Sequence, residues 1–306
     1  IIISTFTAHA SWLLFKLVRA YDFSKEKLLV FGILFLPSVN FWCSGVSKDS
    51  VVFISSVYLV YHLFKILSPN QKTTTINVVI LIINMFIIYH IRIHILFAIL
   101  IPAFFAISAR LIRIIGGGNI AVVAGRTAII LAGILVIGNT LIIETEDDLV
   151  ESNDSLKEAA LIQNDFKKNT IYGSKKYDLG DVEFTPTGIL KIMPLVIITG
   201  IYRPFIWEAL SPTLILNGIE SLIFLYLTFV FFRRKFLQKW NYIRSHEFLI
   251  FCFIFVLIIA FMTGMTSILY GVLVRLRAPL LPFFVILLTI DIANQNSEDH
   301  PKELEV

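Results

Sequence analysis

The sequence predicts an all-α fold, a polytopic transmembrane helical bundle with about nine spans, one re-entrant or interfacial helix and one extracytoplasmic loop. Hydrophobic residues make up 57% of the 306 positions, Phe alone occurs 27 times, and charged residues amount to only 16%. The mean hydropathy of +0.82 lies far above that of a soluble domain. Apolar runs long enough to cross a hydrocarbon layer of about 30 Å recur along the chain, and they are continuous rather than alternating, which favours helices over barrel strands.

The predicted spans define the domain organisation. We expect N-terminal transmembrane helices in 1–143, an acidic soluble loop in 144–186, C-terminal transmembrane helices in 187–293 and an acidic, disordered tail in 294–306. Because the chain begins with Ile1 and no basic stretch, we expect its native start to lie upstream and predict no signal peptide. The nine runs are 2–18, 28–42, 51–67, 76–91, 95–109, 127–143, 213–232, 248–264 and 279–293.

The segment RRKFLQKWNYIR, residues 233–244, sets the predicted orientation, because short loops rich in Lys and Arg stay in the cytoplasm. Residues 201–212 then lie outside. In the N-terminal half the same rule leaves 44–49, 92–94 and the loop after the sixth run outside. The cations kept inside are Arg19, Lys25, Lys27, Lys65, Lys72, Arg110, Arg113 and Arg126.

A shorter apolar run, 188–201, joins the two halves. The two orientations agree if this run enters and leaves on one face, as a re-entrant or interfacial helix broken at Pro194. Irregular backbone at membrane depth needs cover by protein or water, so such a segment would line a cavity. If 188–201 instead spans fully, the loop before it is cytoplasmic.

The loop 144–186 carries eleven acidic residues and five lysines, which gives it a net charge of −6. Ser155 and Glu158 form a capping-box pattern before a predicted short amphipathic helix at 156–166. The loop is either a solvated connector or a lid over an external site.

Several charged residues are expected at the external ends of spans. Lys48 and Asp49 stand together at a helix start, where Asp49 suits the positive helix end and Lys48 either binds an anion or is simply solvated. The eight residues placed at this face are Lys48, Asp49, Arg92, His94, Arg203, Glu208, Arg275 and Arg277.

The turn YHIRIHI, residues 89–95, places Arg92 and His94 close to the hydrocarbon boundary, where a charge is costly unless it is paired or used. His94 is a candidate general base or hydrogen-bond donor to phosphate. The alternative is an interfacial histidine whose hydrogen bonds are made within the protein. Arg92 either binds a ligand or extends its side chain to the membrane surface.

The break IYRPFIWEALSP, residues 201–212, concentrates Arg203, Trp207 and Glu208 between apolar segments. Arg203 and Glu208 either pair with each other or divide the work of holding phosphate and accepting a proton, and Trp207 suits the aromatic belt or a sugar-stacking platform. Glu220 lies within a predicted span, where an acid is a functional candidate unless it only hydrogen-bonds a neighbouring helix.

Two further cations, Arg275 and Arg277, precede Pro279 and a predicted descending span. External arginines run against the bias towards inside cations, and guanidinium groups bind phosphates through paired hydrogen bonds. Arginines from separate loops that converge on one cavity would therefore suit a pyrophosphate.

The sequence lacks other familiar sites. It has no Gly-Lys-Ser phosphate loop, no His-Glu-x-x-His and no Gly-x-Ser-x-Gly, so we predict no cofactor and no metal. Cys43 and Cys252 adjoin aromatic residues and are expected to be packing residues. The cations behind the net charge of +4 lie beside apolar runs, so they indicate how the chain is oriented in the membrane. We predict no nucleic-acid partner.

The chain resembles a bacterial family of uncharacterised multi-spanning inner-membrane proteins of surface-polysaccharide gene clusters. These are similar in build to lipid-carrier-dependent glycosyltransferases and oligosaccharide repeat-unit polymerases. The resemblance covers most of 28–290, and its most specific part is the block from Arg203 to Ala209 with Glu220. The family has Gly where this chain has Ser47 and Pro where it has Ile93. The matching segments are FLPSVNFWCSGVSKDS, YHIRIHI, FTPTGILKIMPLVIITGIYRPFIWEALSPTLILNGIESL and LVRLRAPLLPFF.

The resemblance and the charges together lead us to expect a multi-pass protein of the bacterial inner membrane that transfers or polymerises glycans from a polyprenyl (pyro)phosphate at the extracytoplasmic face. Its expected partners are membrane lipids, a polyprenyl-linked glycan and polysaccharide-assembly proteins. The catalytic candidates are His94, Glu208 and Asp49, and the substrate-binding candidates are Lys48, Arg92, Arg203, Trp207, Glu220, Arg275 and Arg277.

Two alternatives stay open. In a transporter or flippase, Glu220 and Arg126 would be buried coupling groups. In a non-catalytic scaffold, the acidic loop 144–186 would bind a partner enzyme.

Overall fold

The computed structural model describes residues 1–21, 26–68, 75–115, 186–209, 211–267 and 269–291, and this part of the chain contains helices and no β-strand. The α-helices are α1 (Ile2–Ala20), α2 (Glu26–Leu29), α3 (Pro37–Trp42), α4 (Lys48–Leu67), α5 (Thr75–Ile115), α6 (Pro186–Tyr202), α7 (Pro212–Arg233), α8 (Phe236–Ser245), α9 (Glu247–Thr266), α10 (Tyr270–Arg277) and α11 (Leu281–Leu288). The all-α prediction is confirmed for these residues.

Three predictions fall outside the described residues. They are the span at 127–143 with Arg126, the acidic loop up to residue 185 with its short helix, and the acidic tail 294–306.

Five helices in the described part of the chain are long and apolar enough to cross a membrane, which is consistent with a multi-pass membrane protein. The prediction of about nine spans is not confirmed. The runs 51–67, 213–232 and 248–264 match three of the five helices, whereas α1 forms at 2–18 as predicted without being one of them. The five are Lys48–Leu67, Thr75–Ser108, Pro212–Arg233, Glu247–Thr266 and Tyr270–Leu288.

The described residues form two compact units. The first unit contains those within 1–107, 223–256 and 278–306, and the second unit contains those within 108–222 and 257–277.

Aromatic side chains fill the core of the first unit. Phe64 meets Phe248 edge to face at 4.9 Å between ring centroids, and Phe255 meets Phe283 in the same manner at 4.9 Å. All four rings are buried. Edge-to-face contacts of this kind add to the energy gained by burying the rings, so they fix how the helices of this unit pack.

The predicted span 28–42 forms a shorter apolar helical stretch, Lys27–Trp42, which is not one of the five helices and is not a regular α-helix throughout. The chain instead forms α2, a π-helix at Val30–Leu34 and, after a break, α3. Pro37 explains the new start, because proline cannot donate to the preceding turn but suits the first turn of a helix. At Gly32 an added Cβ would lie 2.2 Å from Cγ1 of Val285, so only glycine permits this close packing.

The predicted turn at 92–94 is present but is confined to Arg92. The backbone there leaves the helical region, with φ −153° and ψ 82°, so α5 consists of two helical segments that meet at a kink, and His94 belongs to the second segment. The boundary between the runs 76–91 and 95–109 is therefore a break at one residue.

The predicted break at Pro194 is also wrong. Helix α6 continues through Pro194 and ends at Tyr202. Whether this 17-residue helix spans the membrane or re-enters stays a prediction.

In the second unit, α6 packs backbone to backbone on α9. A Cβ at Gly200 would lie 2.0 Å from the carbonyl oxygen of Ala260, and a Cβ at Gly264 would lie 2.2 Å from that of Val196. Small residues that permit such approach are typical of helix contacts in membranes.

The last span begins earlier than predicted, at Tyr270 instead of residue 279. Pro279 lies within a 3-10 segment, Ala278–Leu280, that connects α10 to α11 without a loop. Arg277 consequently lies inside a candidate span, not at its end.

Both cysteines are free and buried, as expected for packing residues. Burial, with a smaller contribution from the nearby Asp49 charge, raises the pKa of the Cys43 thiol to about 12. Because the thiolate is the reactive form, Cys43 is expected to be inert at neutral pH.

We predict that Gly264→Val lowers the stability of the protein by roughly 1–3 kcal/mol, because the new side chain would collide with the α6 backbone. Gly271→Ala is the control, since a Cβ there meets nothing within 4 Å. Thermal unfolding in detergent measures both variants, and equal midpoints would contradict the packing described.

We also predict that a membrane-impermeant maleimide leaves the native cysteines unlabelled in intact cells but labels Gly45→Cys, a position with open space around it. Asn241→Cys, on exposed α8, should be labelled only after the membrane is opened. Labelling of Asn241→Cys in intact cells would reverse the predicted orientation.

Candidate functional site

The main cluster of charged side chains in the second unit lies just after α6. Arg203 follows this helix directly, and the next residue, Pro204, disfavours helical backbone at Arg203, so the helix ends here. The chain then forms a 3-10 turn, Ile206–Glu208. Nη2 of Arg203 lies 3.0 Å from Oε1 of Glu208, and the two side chains are 25% and 14% exposed. Of the two roles predicted for this pair, the structure shows the ion pair.

The Glu208 carboxylate also receives donors from outside this pair. The backbone N–H of Phe205 donates to Oε2 at 3.0 Å, and the phenol of Tyr270 on α10 donates a further hydrogen bond. With an ion pair on one oxygen and a backbone hydrogen bond on the other, the carboxylate is held in one orientation. Glu208 is thus arranged to orient Arg203.

Tyr270 was missed by the sequence analysis. It lies 62 positions after Glu208, in a segment without a recognisable motif. The only feature of the sequence that could have indicated Tyr270 is its position five and seven residues before Arg275 and Arg277, and this pattern is weak.

Arg277 is completely buried and binds the end of α6. Its Nη1 donates to the carbonyl oxygens of Ile201 at 3.0 Å and Arg203 at 2.6 Å. Carbonyls at a helix C-terminus lack partners within the helix, and a cation there is favourable. Arg277 therefore holds the backbone that carries the Arg203 side chain.

Helix α7 supplies the other partners of Arg277. Nη2 donates to Oγ of Ser221 at 3.2 Å, and the buried carboxylate of Glu220 interacts electrostatically with the guanidinium. Nε has no hydrogen-bond partner among the described residues. Arg277, one of the predicted phosphate ligands, is thus enclosed by protein, and Glu220 compensates its charge. Phosphate binding by Arg277 stays a prediction.

Trp207 occupies the exposed side of the same turn. Its ring stacks on Phe205 at 4.9 Å between centroids and 16° between planes, yet Trp207 remains 70% exposed. The turn rests on α7 at Gly218, where an added Cβ would lie 2.9 Å from Cα of Ile206. The same turn that carries the Arg203–Glu208 pair thus also presents an aromatic surface, formed by Phe205 and Trp207.

Arg275 is exposed, in contrast to Arg277 two positions later on α10. Residues two apart on a helix point in different directions, which explains why one arginine is enclosed and the other is at the surface.

A second cluster, in the first unit, surrounds the start of α4. Asp49 is buried in the first turn of this helix and forms a salt bridge with Arg92, the residue at the break of α5. Ser47 caps the helix by accepting from the N–H of Ser50 at 3.2 Å. Asp49 therefore compensates a half-buried cation in addition to suiting the helix end.

The remaining candidates of the first unit are Lys48 and His94, and both are exposed. His94 lies two residues after Arg92, on the helix that follows the break.

The structure brings together Arg203, Trp207, Glu208, Glu220 and Arg277 with Tyr270 in the second unit, and Asp49 with Arg92 in the first. That residues of both units bind one ligand stays a prediction. No group of three or more His, Cys, Asp or Glu side chains that could hold a metal ion occurs among the described residues.

Comparison of the chain with models of known protein families, with curated proteins and with solved structures gave no match.

Proposed function

We propose that this protein acts in surface-polysaccharide assembly in the bacterial inner membrane, where it transfers or polymerises glycans from a polyprenyl (pyro)phosphate at the extracytoplasmic face. The observation that supports this most directly is the pre-oriented guanidinium of Arg203 beside an exposed tryptophan.

Arg203 is the phosphate ligand in this proposal. Glu208 fixes the direction of its guanidinium, Arg277 fixes its backbone, and a quarter of the side chain remains exposed. A guanidinium held in one orientation binds phosphate oxygens with a smaller loss of conformational freedom. Exposed Arg275 on α10 is a second candidate ligand. Arg277, in contrast, contributes by positioning the backbone of Arg203.

Trp207 provides the surface for the sugar. Aromatic side chains combine a large apolar face with a rigid shape, which suits the apolar face of a sugar ring. Glycan transfer needs a base to accept the proton of the attacking hydroxyl. With Glu208 and Asp49 both in ion pairs, exposed His94 is the remaining candidate for this role.

The alternatives receive less support. A transporter would use Glu220 as a coupling group, but Glu220 already compensates the buried charge of Arg277. The scaffold alternative depends on the acidic loop, of which only residue 186 is described.

We predict that Arg203→Ala abolishes long-chain surface glycan while the protein stays in the membrane, because the phosphate loses its ligand. The glycan is followed by gel electrophoresis and the protein by immunoblotting. Lys191→Gln, which removes an exposed cation from α6, is the control and should leave the glycan unchanged.

Arg277→Ala should instead reduce the amount of folded protein. It leaves Glu220 buried without its cation and the end of α6 without donors, a loss of about 3–5 kcal/mol for a buried pair. Normal surface glycan in Arg203→Ala would refute the proposed function. Loss of surface glycan in Glu220→Gln, combined with normal glycan in Arg203→Ala, would favour a transporter.

A separate prediction concerns Tyr270→Phe, which removes one hydrogen bond to Glu208 and loosens Arg203. We expect KM for the lipid-linked substrate to rise roughly tenfold, since a hydrogen bond to a charged group contributes about 1.5–3 kcal/mol. The thermal midpoint should hardly change. Tyr226→Phe, at an exposed position on α7, is the control, and an equal KM in both variants would remove Tyr270 from the site.

A further inference from the structure

A dense group of cations connects α7 to α8 in the first unit. Residues 233–246 contain five basic residues and no acidic one. Arg233, Arg234, Lys235 and Arg244 are exposed, and none has a salt-bridge partner among the described residues. The five basic residues, which we call the basic segment, are Arg233, Arg234, Lys235, Lys239 and Arg244.

The backbone of the basic segment crowds these charges. Lys235 has φ 50°, a left-handed conformation that is uncommon outside glycine, and it forms the turn between the two helices. Nζ of Lys239 lies 4.8 Å above the ring of Phe231. Burial lowers the pKa of Lys239, the charge of Arg234 lowers it further, and Asp291 opposes the shift. An anion bound here would relieve the repulsion between neighbouring cations.

Apolar side chains lie directly beside the cations. Phe232 and Leu237 are 59% and 74% exposed. Phe232 packs on Phe236 at 5.0 Å between centroids, and Trp240, stacked 6.4 Å from Phe236, meets Phe253 edge to face. A surface with exposed apolar groups and cations side by side matches a lipid, which has both acyl chains and a phosphate, better than it matches a free anion.

We propose that the basic segment is a binding site for the phosphate headgroups of anionic phospholipids, with Arg233, Arg234 and Arg244 as the principal ligands. Phe232 and Leu237 contact the acyl chains of the same lipids. The site holds α8 on the membrane surface, and it is independent of the function proposed above. Clusters of four to eight basic residues next to a membrane helix bind anionic lipid surfaces in this way.

The test uses the full chain in nanodiscs of phosphatidylcholine with increasing fractions of phosphatidylglycerol. An environment-sensitive fluorophore on Asn241→Cys, in exposed α8, reports the binding, and the native cysteines are buried. We expect a saturable response to phosphatidylglycerol. In Arg234→Gln/Arg244→Gln the response at the fraction that half-saturates the unmodified chain should fall roughly tenfold.

The matched control is Lys27→Gln/Lys191→Gln, which lowers the net charge equally at two exposed positions outside the basic segment. It should respond like the unmodified chain, and an equal loss in both double variants would reduce the effect to overall charge and overturn the proposal. Inorganic phosphate or pyrophosphate added to pure phosphatidylcholine nanodiscs should have little effect. A response to them equal to that of the lipid would identify a free-anion site and also overturn it.

The unmodified chain provides a test that needs no stable variant. Because exposed charges are screened by salt, the response to phosphatidylglycerol should weaken as ionic strength rises. A response that does not change with salt, or no response at all, would overturn the proposal.

Discussion

The second unit depends on one guanidinium buried where water cannot solvate it. Arg277 is stable in this position because two carbonyls at the end of α6, the Ser221 hydroxyl and the Glu220 charge replace its hydration. The same bonds complete the C-terminus of α6, which has lost its own continuation at Pro204. One side chain from α10 therefore defines where α6 ends and where the turn that carries Arg203 begins.

The two clusters follow the same electrostatic rule in different units. In each, an arginine at a helix break is paired with a carboxylate, Arg92 with Asp49 and Arg203 with Glu208. A break leaves backbone groups without helical partners and brings charge close to apolar surroundings, so a compensating acid is needed. Pairing also fixes the direction of the guanidinium, which is what a phosphate ligand requires. The clusters differ in exposure, since the turn at Trp207 is open and Asp49 is buried.

Composition and hydrophobic runs predicted the helical class and three spans closely. A long apolar run without breaks can satisfy its backbone hydrogen bonds in a membrane only as a helix. Proline misled the prediction in two places. Pro194 lies within a helix, and Pro279 connects two helical segments, since neighbouring helices can compensate the missing hydrogen bond. The misplacement of Arg277 followed from Pro279. Its partners lie 56 to 76 positions away in the chain, and no local pattern encodes contacts over that distance. The role of Tyr270 was not predicted for the same reason, because its partner Glu208 lies 62 positions away.

The contact between α6 and α9 has a mechanical consequence. With carbonyl groups of one helix lodged against glycines of the other, neither helix can slide along its axis without a collision of main-chain atoms. We therefore expect α6 and α9 to shift together and not past each other, because the contact that would have to break is made by main-chain atoms and not by adaptable side chains.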